Sequence, residues 1–306
     1  MAYAALDTIL DDEYIAFASS STSPFGYNHF AGTGSGERGL GQTALALVAA
    51  GDTVQAAQWN SLFTAMNNIA NHTNIALTST TAVQAGDVVA IRSALITDLA
   101  SLSDAVAAGS TGATTGLTDS AATNKDTGAI TKGTSATVTA TVSLGSEDAC
   151  RHFFNAGGKI KVSFSRISAG GAAGKDNEWD DITSRMGTII LAAQGTSRSG
   201  GSSTNTTINT AHDFYDLTGS ARTTATATAN TGVYDSDAIT LQFHRTGFVG
   251  ANGGNGTGVI VTAICNADVE NFDDTGDNVG SIRMAVVATN VNTADGLATG
   301  FTATIT

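Results

Sequence analysis

The chain has 306 residues, with 14 Lys plus Arg against 27 Asp plus Glu and a formal net charge of −13. A charge of that sign repels nucleic acid and anionic membrane surfaces, so we expect neither as a partner. Only 13 % of the residues are charged and 6 % are aromatic, while Gly numbers 35. We therefore expect a surface of Thr, Ser, Asn and small residues, which suits a protein that contacts copies of itself or its neighbours.

Residues 1–50 hold little regular pattern and predict an N-terminal arm. Its aromatic residues Phe25, Tyr27 and Phe30 suggest that the arm packs on something else, such as a neighbouring subunit. The first residues lack a basic region followed by an apolar core, so no secretory signal is expected. No stretch approaches the roughly 20 apolar residues that a membrane span needs. We expect a soluble protein that folds in a reducing cytoplasm.

The arm contains a formal G-x-G-x-x-G between Gly34 and Gly39. A dinucleotide fingerprint requires a hydrophobic strand before the glycines and a helix after them. The preceding residues, from Tyr27 to Thr33, are not a hydrophobic strand. The sequence therefore argues against nucleotide binding here.

Residues 51–108 predict a helical hairpin or short bundle. Its two helices begin at a repeated Ala-Gly-Asp, and we expect Asp52 or Thr53 to cap the first and Asp87 the second. The apolar residues of each helix recur at steps of three and four, and those of the second approximate a heptad seam. Packing within the chain explains these stripes better than a ligand pocket does, and the seam could continue across subunits. The residues assigned to subunit association are Trp59, Leu62, Met66, Ile91, Leu95, Leu99 and Leu102.

Residues 109–133 lack periodicity and predict a linker, and residues 134–306 predict an antiparallel β-sandwich, jelly-roll-like, with one short embedded helix. The clearest strand lies within Arg151–Ile167, where apolar and polar residues alternate from Lys159 onward. We expect the aromatic pair before it to join this strand through the turn at Asn155–Gly158, as in a hairpin or β-arch. The fold class predicted overall is α+β.

The rest of the second half is predicted to contain one helix and several further strands with the same period of two. A helix is expected between Lys175 and Gly187, with Trp179, Ile182 and Met186 on one face. Strands are expected from Thr188 to Ala193, around Ile239–His244 and Val259–Cys265, and over Ser281–Thr289 and Phe301–Thr306.

Catalytic motifs are missing from the sequence. Gly174-Lys175 resembles a phosphate loop, but Ala169 replaces its first Gly and Asp176 its Ser or Thr. Zinc-protease, hydrolase and C-x-x-C signatures are absent, and the five histidines are scattered. Cys150 and Cys265 do not form a disulfide framework, and the position of Cys265 in an alternating run predicts a buried thiol. We expect no cofactor and no catalytic residue.

Two groups leave alternatives open. The acidic loop from Asp268 to Asn278 offers Asp273, Asp274 and Asp277 as oxygen ligands for calcium, although it does not match the EF-hand order and a solvated loop explains it better. Phe214, Tyr215 and Tyr234 could form a sugar-stacking surface or fill a core or a subunit seam, the latter being the commoner use of aromatic residues.

Four runs are considered together: Arg151–Arg166, Lys175–Ile182, Met186–Ile189 and Phe214–Thr218. They resemble a β module of tailed-bacteriophage virion structural proteins, particularly those of tail fibres and baseplates. The helical opening Gly51–Phe63 is similar to one found in the same group of proteins. These are scaffold motifs, so the resemblance implies a structural role and supplies no catalytic residue.

The expected function is a structural component of a tailed phage virion, associated with the tail fibre or baseplate and assembling as a homo-oligomer, with a trimer favoured. Its expected location is the virion, assembled in the host cytoplasm, and its expected partners are other virion proteins, with a host surface receptor as a further candidate. A capsid decoration protein is the alternative within this class. A receptor- or carbohydrate-binding module is the alternative outside it, and an enzyme ranks third.

Overall fold

The computed structural model describes residues 11–78, 81–85, 92–111, 116–131, 133–167, 173–230, 236–247, 256–268, 278–291, 297 and 302–306. The chain divides into two compact units. The first comprises residues 1–118, 151–158 and 291–302, and the second comprises residues 119–150, 159–290 and 303–306. Each unit is considered by itself below.

The described helices and strands are numbered in chain order. The helices are α1 (Asp11–Ala18), α2 (Tyr27–Phe30), α3 (Ala56–Thr73), α4 (Arg92–Ala107), α5 (Glu147–Asn155) and α6 (Ala173–Met186). The strands are β1 (Leu117–Asp119), β2 (Thr123–Thr131), β3 (Thr134–Ser143), β4 (Lys159–Arg166), β5 (Thr188–Ala192), β6 (Gly195–Ser199), β7 (Thr206–Ile208), β8 (Arg222–Thr228), β9 (Ala238–Thr246), β10 (Gly258–Ala267), β11 (Asn278–Val291) and β12 (Thr304–Ile305).

Helix α3 begins later than its sequence predicts. Its N-cap is Gln55, which forms a capping box with Gln58, because the Gln58 amide oxygen accepts the Gln55 backbone N–H at 2.7 Å. Asp52 is not the cap; its Oδ2 accepts the backbone N–H of Ala49 at 3.3 Å. The helix ends at Asn74 in the left-handed conformation, with φ 59°. The second expected cap, Asp87, lies outside the described residues.

The first unit fills its core with its own N-terminal aromatic residues. Helix α1 places Tyr14 against Trp59, with ring centroids 5.5 Å apart and edge to face. Tyr27 and Phe30 of α2 are 3 % and 0 % exposed. The expectation of an irregular arm that packs on something else is therefore wrong for these residues, since they are buried within the same unit. Spacing alone could not separate a docked helix from an arm that reaches a neighbour.

Arg151–Asn155 is also not part of a hairpin. These residues form the last turns of α5, and Phe153 and Phe154 are fully buried with their rings edge to face. Gly157, with φ 86°, lies in the turn that ends the helix before β4 begins at Lys159. The strand is as predicted. The aromatic pair before it is helical: Phe153 and Phe154 continue the helix that contains Cys150, and they do not alternate across a strand.

The second unit contains two antiparallel sheets. In the first sheet β11 pairs with β2 and β4, and β5 and β6 follow β4. In the second sheet the order is β12-β3-β10-β9-β8-β7. Residues Thr123–Thr131 form β2, although the sequence placed them within a linker. The prediction missed this strand because its alternating residues are almost all polar. The predicted α+β class with antiparallel sheets is confirmed.

Helix α6 carries the apolar face that its sequence predicts. Trp179, Ile182 and Met186 are each fully buried, and Gly187 follows with φ 62°. The helix contacts β4 of one sheet and β8 and β9 of the other. It therefore packs against both sheets of the second unit.

Candidate interaction surface

The second sheet of this unit has one buried face and one outward face. Along β10, Val259, Val261, Ala263 and Cys265 are fully buried, while the residues between them are partly exposed. The same alternation runs through β3 and β9. We name the outward side chains the outer threonine face. They are Thr137, Thr139, Thr141, Thr207, Thr223, Thr226, Thr228, Thr240, Gln242, His244, Ile260, Thr262 and Ile264.

Strand register arranges these side chains in rows across the sheet. One row joins Thr139, Thr262 and Gln242, which face one another across the β3–β10 and β10–β9 ladders. The Thr139 and Thr262 hydroxyl oxygens are 3.5 Å apart, and Gln242 donates its amide N–H to the Thr223 hydroxyl of β8 at 3.2 Å. The row is therefore partly linked by its own side chains.

The outer threonine face carries neither a carboxylate nor an ammonium or guanidinium group. Arg222 of β8 lies opposite the buried Phe243 in the β8–β9 register, and its Nη1 donates to the backbone oxygen of Asp216 at 2.8 Å. Charged residues make up 13 % of the chain, so about two would be expected among thirteen outward positions, and none is present. Its Thr hydroxyls and Ile side chains carry no formal charge.

The outward face of the other sheet is charged. Lys161 of β4 forms an ion pair with Asp119 at 2.8 Å, and Arg283 of β11 forms one with Asp126 at 2.8 Å. Hydrogen bonds from Lys161 and Thr289 lower the pKa of Asp119, and the hydrogen bond from Arg283 lowers the pKa of Asp126. The two outward faces of the unit thus differ. The first sheet presents charged side chains to solvent, whereas the outer threonine face presents uncharged ones.

His244 is the titratable residue on the outer threonine face. It lies beside Ile260 in the β9–β10 register. Its Nδ1 has no solvent contact and no hydrogen-bond partner in the described part of the chain. Burial lowers the pKa of His244, so the ring is neutral at pH 7 and adds no charge to the face.

The residues assigned to subunit association lie in the interior of the first unit. Trp59 is 2 % exposed. Leu62, Met66, Leu95, Leu99 and Leu102 are all 0 % exposed. Ile91 lies outside the described residues. Since the fold of one chain already buries these six side chains, their apolar stripes do not require a second copy.

The other candidate residues fall into two groups. Asp273, Asp274, Asp277 and Tyr234 lie outside the described residues, so the calcium and sugar-binding hypotheses are not tested at those positions. Phe214 is fully buried, with the Arg245 guanidinium 3.9 Å from its ring centroid, so it is a core residue. Tyr215 is half-buried and meets Phe214 edge to face.

Side chains of α5 form hydrogen bonds with the backbone of the glycine-rich loop in the first unit. Asn155 donates its amide N–H to the Gly39 backbone oxygen at 3.0 Å, and His152 Nε2 lies 2.9 Å from the Thr33 oxygen. Arg151 also donates to the backbone oxygens of Thr33 and Arg38. These contacts give the Gly34–Gly39 loop a structural role in anchoring α5, and the loop does not open a helix as a dinucleotide site requires.

No family model, curated protein or solved structure matches the chain. Among the described residues, no three His, Cys, Asp or Glu side chains come together as a metal site. No helix in the described ranges is both long and apolar enough to cross a membrane. The outer threonine face is thus the best-defined candidate for function in this part of the chain. The alternation of Thr with buried residues in β3 and β8–β10 was its signal in the sequence.

Proposed function

We propose that this protein is a structural subunit of a tailed-phage virion, associated with the tail fibre or baseplate, that self-associates through the outer threonine face. The single observation that carries the proposal is the exclusion of charge from that face in an acidic chain. The resemblance of the Arg151–Arg166 and Lys175–Ile182 runs to virion β modules supports the choice of particle.

Self-association through this face follows from charge. A chain with net charge −13 repels its own copies, and close approach costs least where neither copy presents a charge. Interfaces are depleted of charged side chains at their centres for the same reason, because each buried charge loses its hydration. The proposal therefore locates assembly in the β unit and not in the apolar stripes of α3 and α4.

The proposed role requires no catalytic group and no cofactor. Other virion proteins are the expected additional partners, since a subunit of a particle contacts neighbours of several kinds. The outer threonine face has no Phe, Tyr or Trp side chain, the types that usually form a sugar-stacking surface. This observation favours a protein partner over a glycan for this face.

The test is to detect and locate the chain in purified particles. Mass spectrometry of density-purified virions from the source culture should identify it at a fixed copy number relative to the major capsid protein. A particle map should then place it on the tail, where a position on the head surface would instead make it a decoration protein. Absence from purified virions, with the free protein remaining in the lysate, would refute the proposal.

A further inference from the structure

We infer that the partner of the outer threonine face is the same face of a second copy, related by a two-fold axis. This inference rests on the self-association in the proposed function and specifies its geometry. It differs from the trimer favoured among the expectations from the sequence, because an isologous contact closes after two copies.

The hydrogen-bonding chemistry of the face is self-complementary. Each Thr hydroxyl both donates and accepts, and Gln242 offers both an N–H and a carbonyl oxygen. An identical face therefore offers both donors and acceptors to the polar groups of its copy and sets no like charges against each other. A face built of carboxylates or of ammonium groups would lack this property, since it could not meet its own copy without repulsion.

Apolar side chains occupy the interior of the face. Ile260 and Ile264 lie on either side of Thr262 in β10, and both are half-buried within one chain. They lie between the Thr-bearing strand β3 and strand β9. Pairing would remove the remainder of these side chains and the Thr methyl groups from water, which is the favourable contribution to association.

The dimensions of the face suit a reversible interface. With the uncharged outward residues that flank it on β3, β9 and β10, the face spans five strands about 4.8 Å apart and strands of up to ten residues rising about 3.3 Å per residue, which is at most roughly 20 by 30 Å. This gives on the order of 600 Å² from each copy, at the lower end of specific interfaces. We therefore expect association that depends on protein concentration, not a permanent dimer.

Introducing opposite charges at Thr262 in two variants tests whether the outer threonine faces of two copies contact each other. Thr262 lies in the central row of the face, half-buried and away from the charged residues, so T262E and T262K introduce single charges near the proposed axis. Sedimentation velocity at low salt would be measured for the wild type, for each variant and for their equimolar mixture. Circular dichroism and thermal melts would establish that both variants are folded.

The expected result is dimers of the wild type, monomers of each variant alone, and dimers again in the mixture. Only an interface in which Thr262 meets the same region of the partner restores association in this way, because opposite charges then face each other. If the wild type associates but the mixture behaves like the separate variants, this inference fails while self-association stands. If both variants associate as the wild type does, the interface lies elsewhere. If the wild type remains monomeric at all concentrations, self-association itself fails.

Discussion

The indole Nε1–H of Trp179 donates to Oδ2 of Asp237 at 2.8 Å, and both side chains are fully buried. The other carboxylate oxygen of Asp237 accepts the backbone N–H of Asp268 at 2.8 Å. Helix α6 is thereby joined to the beginning of β9 and to the end of β10. A buried carboxylate is tolerated because such donors replace water.

Replacing Trp179 with Phe should destabilise the second unit. The change removes one donor from the buried Asp237 carboxylate, which costs about 1–3 kcal/mol beyond the lost packing. Trp59 offers a matched control, since its Nε1 is buried and has no hydrogen-bond partner in the described ranges. Urea unfolding followed by far-UV circular dichroism should therefore show a larger loss for W179F than for W59F. Equal losses would mean that the Asp237 contact contributes nothing measurable.

The Gly34–Gly39 loop gives a second matched pair. A Cβ at Gly39 would lie 2.2 Å from the Thr33 backbone oxygen, whereas one at Gly36 would meet no atom within 4 Å, and both glycines have positive φ. We expect G36A to cost about 1 kcal/mol from its backbone conformation alone. G39A should cost about 1–3 kcal/mol more from overpacking. Trypsin cleavage after Arg38 reports the loop directly and should accelerate in G39A; the same rate in both variants would contradict the assigned anchoring role.

Both cysteines should resist modification in the folded protein. Burial raises the pKa of Cys150 and of Cys265 to about 12. The reactive thiolate is thus about one part in 10⁴ at pH 8, and the sulfur atoms are also inaccessible. A thiol reagent at pH 8 should label neither cysteine in the native protein and both in urea. Fast labelling of either thiol without denaturant would show that its surroundings open readily.

Association through the outer threonine face should weaken in acid. Burial already lowers the pKa of His244, and covering the face would lower it further, so the paired state favours the neutral ring. The contribution of the neutral ring to association is then fully present at pH values above the pKa of His244 in the free monomer and is lost as the pH falls through and below it. With two such rings in a dimer, the association constant should fall by up to about 100-fold per pH unit in that range.

The control for this pH dependence is H244Q, which keeps a neutral polar side chain at the same position. Sedimentation velocity between pH 8 and pH 5 should show a clear loss of wild-type dimers and a much smaller change for H244Q. If H244Q dissociates over the same pH range as the wild type, another group controls the effect.

The sequence predicted the elements whose side chains alternate cleanly between core and solvent. The strands Lys159–Arg166, Ala238–Thr246 and Gly258–Ala267 were recognised because most of their inward residues are apolar and alternate with polar ones. Strand β2 was taken for part of a linker because only Ile130 of its residues is buried. Its strand conformation is imposed by pairing with β11, which no local pattern reveals.

The candidate surface was only partly predictable. Composition suggested a polar, uncharged exterior, but register decides that Thr139, Thr262 and Gln242 lie side by side. The opposite error occurred in the first unit, where the stripes of Trp59 and Leu99 suggested contacts between subunits. These side chains are buried by α1 and by the packing of α3 on α4. Such burial depends on tertiary packing, and a periodic apolar stripe looks the same in the sequence whether it packs within the chain or against another subunit.

The most direct test of the central claim is cysteine cross-linking at matched positions on the two outward faces. Thr262 lies on the outer threonine face and Ser163 on the charged face of the other sheet, and both are half-buried in the middle of a strand. Facing sheets pack about 10 Å apart, so a bismaleimide of about that span should link T262C to its counterpart. We predict cross-linked dimers of T262C and monomers of S163C at the same concentration. Dimers of S163C in equal yield, or monomers of T262C where sedimentation detects association, would contradict the account.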